Sequence, residues 1–76
     1  MRDMTDTLNM MEKTVYLYLR DYGKEIDAET LWLELKKNGA ALSIGSVYLK
    51  LKKLENEGLV LRIYAGGRKF VYKCKI

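Results

Sequence analysis

The side chains best suited to doing chemistry here are cations, and they crowd the C-terminal part of the chain. Lys50, Lys52 and Lys53 fall in one short stretch, and Arg68 and Lys69 follow Gly66-Gly67. Residues 43–76 hold eight Lys/Arg against Glu55 and Glu57, a net of +6. Residues 1–42 hold six Lys/Arg against eight Asp/Glu, a net of −2, so the two parts sum to +4. Cations segregated in this way attract a polyanion, and the polyanion a small soluble protein most often meets is nucleic acid. Bond-making chemistry is poorly supplied. The sequence has no histidine, which excludes a triad or a metal site built on imidazole. Cys74 is the single cysteine, so it forms no internal disulfide and no structural zinc site. The acidic Asp21, Glu25 and Asp27 have no nucleophile or imidazole beside them and read as caps and solvated charge. No enzyme, cofactor or metal is expected.

The elements that must carry these cations can be read from the periodicity. The chain is 76 residues long, 49% of them hydrophobic, and reads as a single small domain able to build a core. Residues 1–6 form a polar arm. Leu8, Met11, Val15, Tyr18, Leu19 and Tyr22 recur at three- and four-residue steps, the pattern of an amphipathic helix. Asp3, Thr5, Asp6 or Thr7 would cap it, and Gly23 would end it. A second helix is expected after the N-cap Asp27, with Ala28, Leu31 and Leu35 inward, Trp32 and Leu33 on its flanks, and Gly39 at its end. A third runs from Ser43 or just after it to Gly58. With Val47 at 0° and about 100° per residue, Ile44, Leu51 and Leu54 share its core side. After Gly58 the period changes to two. Leu59, Leu61 and Ile63 alternate with Val60, Arg62 and Tyr64, and Phe70, Tyr72, Cys74 and Ile76 alternate with Val71, Lys73 and Lys75. Ala65-Gly66-Gly67-Arg68 supplies the positive φ angles of a tight hairpin. The fold class is mainly α with a β-hairpin. Three helices then a two-stranded hairpin is the order of a winged helix-turn-helix.

In that frame the outer side of the third helix shows Gly45, Ser46, Leu49, Lys52 and Lys53, with Tyr48 on the border. Gly45 and Ser46, in the first turn, would let the backbone approach a phosphate and donate amide hydrogens. Lys50, Lys52 and Lys53 would reach phosphates, and Tyr48 and Leu49 would meet bases. The plainer alternative for the lysines is a solvated face, and for Tyr48 a half-buried packing position. Arg68 and Lys69 at the hairpin tip suit a wing lying on the flanking backbone or in the minor groove. Gly66-Gly67 is no phosphate-binding loop, because it joins strands and opens no helix. Cys74, on the strand face of Tyr72 and Ile76, reads as a small packing residue.

Several stretches together resemble the DNA-binding half of the ferric uptake regulator family. They are Asp27-Ala28-Glu29-Thr30-Leu31-Trp32-Leu33-Glu34-Leu35, Leu42-Ser43-Ile44-Gly45-Ser46-Val47-Tyr48, Leu51 through Leu54, and Glu57-Gly58-Leu59-Val60. Tyr64-Ala65-Gly66-Gly67-Arg68-Lys69-Phe70 is similar to that family's glycine-containing wing. The resemblance covers about residues 10–76. It implies that Ser46 and Tyr48 contact DNA. Leu49 stands where the family usually has arginine, and the family's metal-binding dimerisation domain has no counterpart, so metal sensing does not carry over. The Leu-x-x-Leu-x-x-x-Gly-Leu-Val ending is shared with other winged helices.

The expected function is therefore a DNA-binding transcriptional regulator, a small repressor acting on double-stranded DNA. Helix 44–57 would enter the major groove, and wing 64–70 would lie beside it. The alternative is a winged-helix module for protein–protein interaction, using Leu49, Trp32 and the Met-rich first helix. That helix has an apolar stripe widened by Met4, Met10 and Leu17. Core packing explains it, and so does a homodimer formed through the helix. No apolar run approaches the roughly 18 residues of a membrane span. The polar start argues against a secretory signal, and the single cysteine fits a reducing cytoplasm.

Overall fold

A computed structural model of the chain describes residues 8–75. The element order is α1 (Met10–Tyr22), β1 (Ile26–Asp27), α2 (Ala28–Lys37), α3 (Ile44–Asn56), β2 (Val60–Gly66) and β3 (Lys69–Cys74). Three helices pack with an antiparallel sheet of order β1-β3-β2, a mainly helical winged-helix arrangement.

The start of each helix follows from a cap. Asn9 caps α1. Its side chain accepts from the Glu12 amide at 2.8 Å, and the Glu12 carboxylate accepts from the Asn9 amide at 3.0 Å. This reciprocal capping box satisfies two of the helix's free N–H groups and fixes the start after Asn9. The helix thus begins later than a cap at Asp3, Thr5, Asp6 or Thr7 would place it. Those four residues, with Met4 and the rest of the arm 1–6, lie outside the described residues. Asp27 caps α2 and Ser43 caps α3, as their positions in the sequence suggest.

The helix ends are equally local. At the end of α3, the Leu59 amide donates to the Leu54 carbonyl and the Gly58 amide to the Glu55 carbonyl, both at 3.0 Å. This is a Schellman motif, which needs a left-handed residue at Gly58 (φ 76°). The same turn brings the buried Leu59 back onto the buried Leu54, so one glycine both stops the helix and starts the hairpin.

The core takes Val15, Tyr16 and Leu19 from α1, Ala28, Leu31 and Leu35 from α2, and Val47, Leu51 and Leu54 from α3. Leu8, Ile26, Leu59, Val60, Tyr72 and Cys74 complete it. The inward face of α1 is rotated from the expected stripe. Tyr16 is buried, whereas Tyr22 is exposed and stacks on the partly buried Tyr18, ring centroids 5.8 Å apart. Met11 is half-buried, and Met10 and Leu17 are exposed. Ile44 is only half-buried because it is the first residue of α3, at the rim of the core.

The sheet adds a strand that periodicity did not reveal. β1 pairs Ile26 with Tyr72 and Asp27 with Val71. Two residues are too few to display an alternating pattern. The hairpin is in register from Val60↔Cys74 to Tyr64↔Phe70, then shifts at Ala65 so that Gly66 opposes Lys69. The turn itself is the pair Gly67-Arg68, with φ of 56° and 63°. Positive φ at both central residues matches the right-handed strand twist of a tight hairpin. It also places an arginine in the left-handed region, at a cost of about 1 kcal/mol.

Candidate nucleic-acid interface

The candidate surface is built by α3, the hairpin and the start of α2. Val47, Leu51 and Leu54 bury one side of α3 and thereby fix which side chains face out. Two adjoining open hollows lie between α3 and the hairpin. One, of about 340 Å³, is lined by Tyr48, Arg68, Lys69 and Phe70 together with Asp27 and Glu29. The other, of about 760 Å³, is lined by Tyr48, Lys52, Glu55, Asn56, Arg62 and Tyr72. Tyr48 and Tyr72 are common to both. The α3 residues Tyr48 and Lys52 therefore stand on the same surface as the turn cations Arg68 and Lys69.

The remaining residues singled out in the sequence fall elsewhere on α3. Leu49 points outward at 68% exposure, and Gly45 is exposed. Ser46 is half-buried, and its amide is occupied: it donates to Ser43 Oγ at 3.1 Å. That amide therefore reaches a phosphate only by leaving its cap. Lys50 and Lys53 are half-buried. By the 100° step they lie on the flank of α3 away from Tyr48, Lys52 and Glu55, so the hairpin is not on their side. Lys53 Nζ also pairs with Glu57 Oε1 at 3.5 Å. Trp32, proposed for a protein-binding patch, is partly committed within the fold. Its Nε1–H donates to the Leu42 carbonyl at 2.7 Å, and Lys36 Nζ sits 4.5 Å from its ring centre.

Arg62, Tyr64, Phe70 and Tyr72 also face this surface, although no site role was read for them in the sequence. The signal was their shared phase: Arg62 opposes Tyr72 and Tyr64 opposes Phe70 in the register. Arg62 Nε lies 3.4 Å from Glu55 Oε2, and its guanidinium lies 4.7 Å from the Phe70 ring centre. Tyr64 meets Phe70 edge-on, centroids 5.4 Å apart. Burial holds the Tyr72 phenol above its usual pKa.

Asp27 ties the start of α2 to this surface. Its carboxylate accepts from Thr30 Oγ1 at 2.6 Å and from the Thr30 amide at 3.2 Å. The side-chain bond from Thr30 is the chief reason its pKa lies below the usual carboxylate value, and the nearby Lys69 lowers it further. No cluster of metal-ligating side chains occurs among the described residues. No helix among them is long and apolar enough to cross a membrane.

The model of the ferric uptake regulator family matches residues 8–76, almost the whole chain. The chain belongs to the ferric uptake regulator family. This is a family of DNA-binding regulators, not of enzymes. The ferric uptake regulator (Fur) of Vibrio cholerae, solved in a study of the rearrangement of its DNA-binding domains, superposes with a TM-score of 0.84 at 23% identity. The iron-containing ferric uptake regulator of Francisella tularensis superposes with a TM-score of 0.83 at 16% identity. Each match covers 97% of this chain and 57% of the regulator, so the chain spans little more than half the length of those proteins. HOP2, described through its DNA recognition and protein interaction domains, matches at a TM-score of 0.75 and 20% identity, over 84% of this chain and 97% of that one. At these identities the likeness shows the fold. A search of curated protein sequences gives no significant match. The Fur-family assignment and the winged-helix fold agree with the resemblance read from Asp27–Leu35, Leu42–Tyr48 and Glu57–Val60.

Proposed function

We propose that this Fur-family domain is a sequence-specific DNA-binding repressor. α3 enters the major groove, with Tyr48 and Leu49 toward base edges. Lys52 contacts one phosphate backbone, and Arg68 and Lys69 at the wing tip contact the flanking backbone or minor groove. Lys50, Lys53 and Ser46 are assigned to the phosphates along the opposite groove wall, and Gly45, on the Lys52 side of the first turn, to close approach of the backbone. The observation that carries the reading is the shared surface of the hollows, where cations of α3 and of the wing converge beside Tyr48. A duplex is gripped only when helix and wing offer charge to the same side. Arg68 adds weight. Holding an arginine at φ 63°, where glycine or asparagine would be cheaper, is the kind of local strain that accompanies a functional position.

Repression by a single recognition helix gains affinity from a two-fold partner. Met10, 81% exposed, and Leu17, one heptad later on α1, offer an apolar strip for a homodimer. The site of action would be the cytoplasm, on double-stranded DNA, with no cofactor.

The test is a gel shift against random-sequence duplex DNA with rounds of selection, at two salt concentrations. The expected result is enrichment of a defined sequence and an affinity that falls steeply with salt. Retention of all sequences alike at both salts overturns the reading. The second reading, a protein-interaction module, is favoured by one observation: Leu49 and Leu33 are both more than half exposed. Absence of duplex binding with retained solution pairing would turn the assignment to it.

A further inference from the structure

The wing carries more aromatic surface than phosphate contact requires. Tyr64 is 63% exposed, Tyr48 50% and Phe70 38%. All three face the surface between α3 and the hairpin. Tyr48 and Phe70 line the same hollow, and Tyr64 is the cross-strand neighbour of Phe70. The wing pair is pre-organised. Arg62 lies over the Phe70 ring, and Tyr64 packs edge-on against that ring. Arg62 is in turn held by Glu55 of α3. Lys52, Arg62, Arg68 and Lys69 border these rings, so aromatic faces and cations interleave along one groove.

A paired base inside a duplex has no free face to offer such rings. An unpaired base has, and successive unpaired nucleotides present faces and phosphates alternately, the pattern this groove complements. Charge within the groove is mixed. Asp27 and Glu29 line its upper hollow and Glu55 its lower one. Glu55 is paired with Arg62, and Asp27 lies near Lys69. Lys52 and the turn cation Arg68 remain to meet the anion, with Glu29 the one carboxylate of the three left beside them.

We propose that the groove between α3 and the wing binds unpaired DNA nucleotides, stacking bases on Tyr64 and Tyr48, with Phe70 holding the Tyr64 ring in place. The protein then prefers a duplex carrying a single-stranded extension to a blunt duplex. This rests on the DNA-binding reading above and adds to it a second kind of DNA structure.

Fluorescence anisotropy tests it with a short blunt duplex, the same duplex with a thymine overhang, and the same duplex with an abasic overhang of equal length. The thymine overhang is expected to bind about fivefold to a hundredfold tighter than the blunt duplex, the range for stacking one base on an aromatic ring. The abasic overhang, which adds phosphates without faces, is expected to give little of that gain. Tyr64→Leu should shrink the ratio of overhang to blunt affinity, Tyr64→Trp should preserve it, and Phe70→Ala, which removes the support of the Tyr64 ring, should shrink it as well. Tyr64 is exposed, so its variants fold even if Phe70→Ala does not. Equal affinity for blunt and thymine-overhang duplexes overturns this proposal and leaves the duplex reading standing. So does an equal gain from the abasic overhang, or a ratio untouched by Tyr64→Leu. No binding to any of the three overturns both.

Discussion

The inward face of the hairpin does different work at its two ends. At the base, Val60, Tyr72 and Cys74 are buried against the helices. At the tip, Tyr64 and Phe70 lie on the same strand face, one cross-strand pair beyond Arg62 and Tyr72, and are exposed. Alternation is continuous along that face, which on β2 carries Arg62 between Val60 and Tyr64. What changes is the body beneath it, because the strands run past the edge of the three-helix core. The same aromatic character that builds a core at one end is offered to solvent at the other. A period of two therefore identifies a face but not whether anything covers it.

The sharpest way to break this comparison is to truncate one aromatic at each end. Tyr72→Ala removes a ring packed between β1, β2 and the core, and is expected to cost about 3 kcal/mol of stability. Tyr64→Leu is expected to cost about 0.5 kcal/mol or less, as surface substitutions do. Urea unfolding followed by circular dichroism measures both. Similar losses at the two positions would mean that the tip is as structural as the base.

A second contrast lies across α3. Lys52 stands on the hairpin side, and Lys53 is paired with Glu57 on the other. If the hairpin side meets phosphate, Lys52→Ala weakens binding by about 1 kcal/mol for every duplex sequence and lowers the salt slope by about one. Lys53→Ala, whose charge is already partly satisfied, is expected to do less. A titration in which Lys53→Ala has the larger effect would put the DNA on the opposite flank.

How much of this was legible follows from which signals are local. α2 and α3 declare themselves because Asp27 and Ser43 are strong caps and Leu31, Leu35, Val47, Leu51 and Leu54 repeat without ambiguity. α1 is less clear. Asp3, Thr5, Asp6 and Thr7 are all competent caps by type, and only the Asn9–Glu12 reciprocity decides between them and Asn9. β1 was illegible for a different reason. Its partner, β3, is more than 40 residues away, and a two-residue strand exists only through that pairing. At the candidate interface, the helical wheel orders Tyr48, Leu49, Lys52 and Lys53 around α3 correctly. It cannot say on which flank the hairpin returns, which depends on the path through Gly58 and Leu59. That path separates Lys52 from Lys53 and brings Arg62 to Glu55.

The β1 link gives a smaller test, because it fastens the base of the hairpin to α2 through Asp27. Asp27→Ala is expected to cost about 1 kcal/mol, the usual loss for an N-cap. The effect should depend on pH with a definite sign. The folded-state pKa of Asp27 lies below its ordinary value, so the carboxylate contributes stability above about pH 4, and that contribution is lost as the pH falls through the folded pKa. The difference in Tm between wild type and Asp27→Ala should be constant near neutrality and shrink in acid. A difference that widens in acid would show that the charged form is not the one the fold favours.

The smallest expected effect concerns Gly45, and it divides stability from binding. Glycine within a helix is less stable than alanine, and a Cβ built at Gly45 would meet nothing within 4 Å. Its φ is not in the left-handed region either, so neither packing nor backbone requires glycine there. Gly45→Ala should therefore stabilise the domain by about 0.5 kcal/mol, read as a rise in the urea midpoint. If a phosphate or base edge approaches the first turn of α3, the same methyl group intrudes between backbone and DNA, and duplex affinity falls while stability rises. Opposite signs from one methyl would separate a surface kept bare for a ligand from one merely left uncovered. A gain in stability with unchanged affinity would remove Gly45 from the interface and leave the grip to Lys52, Arg68 and Lys69.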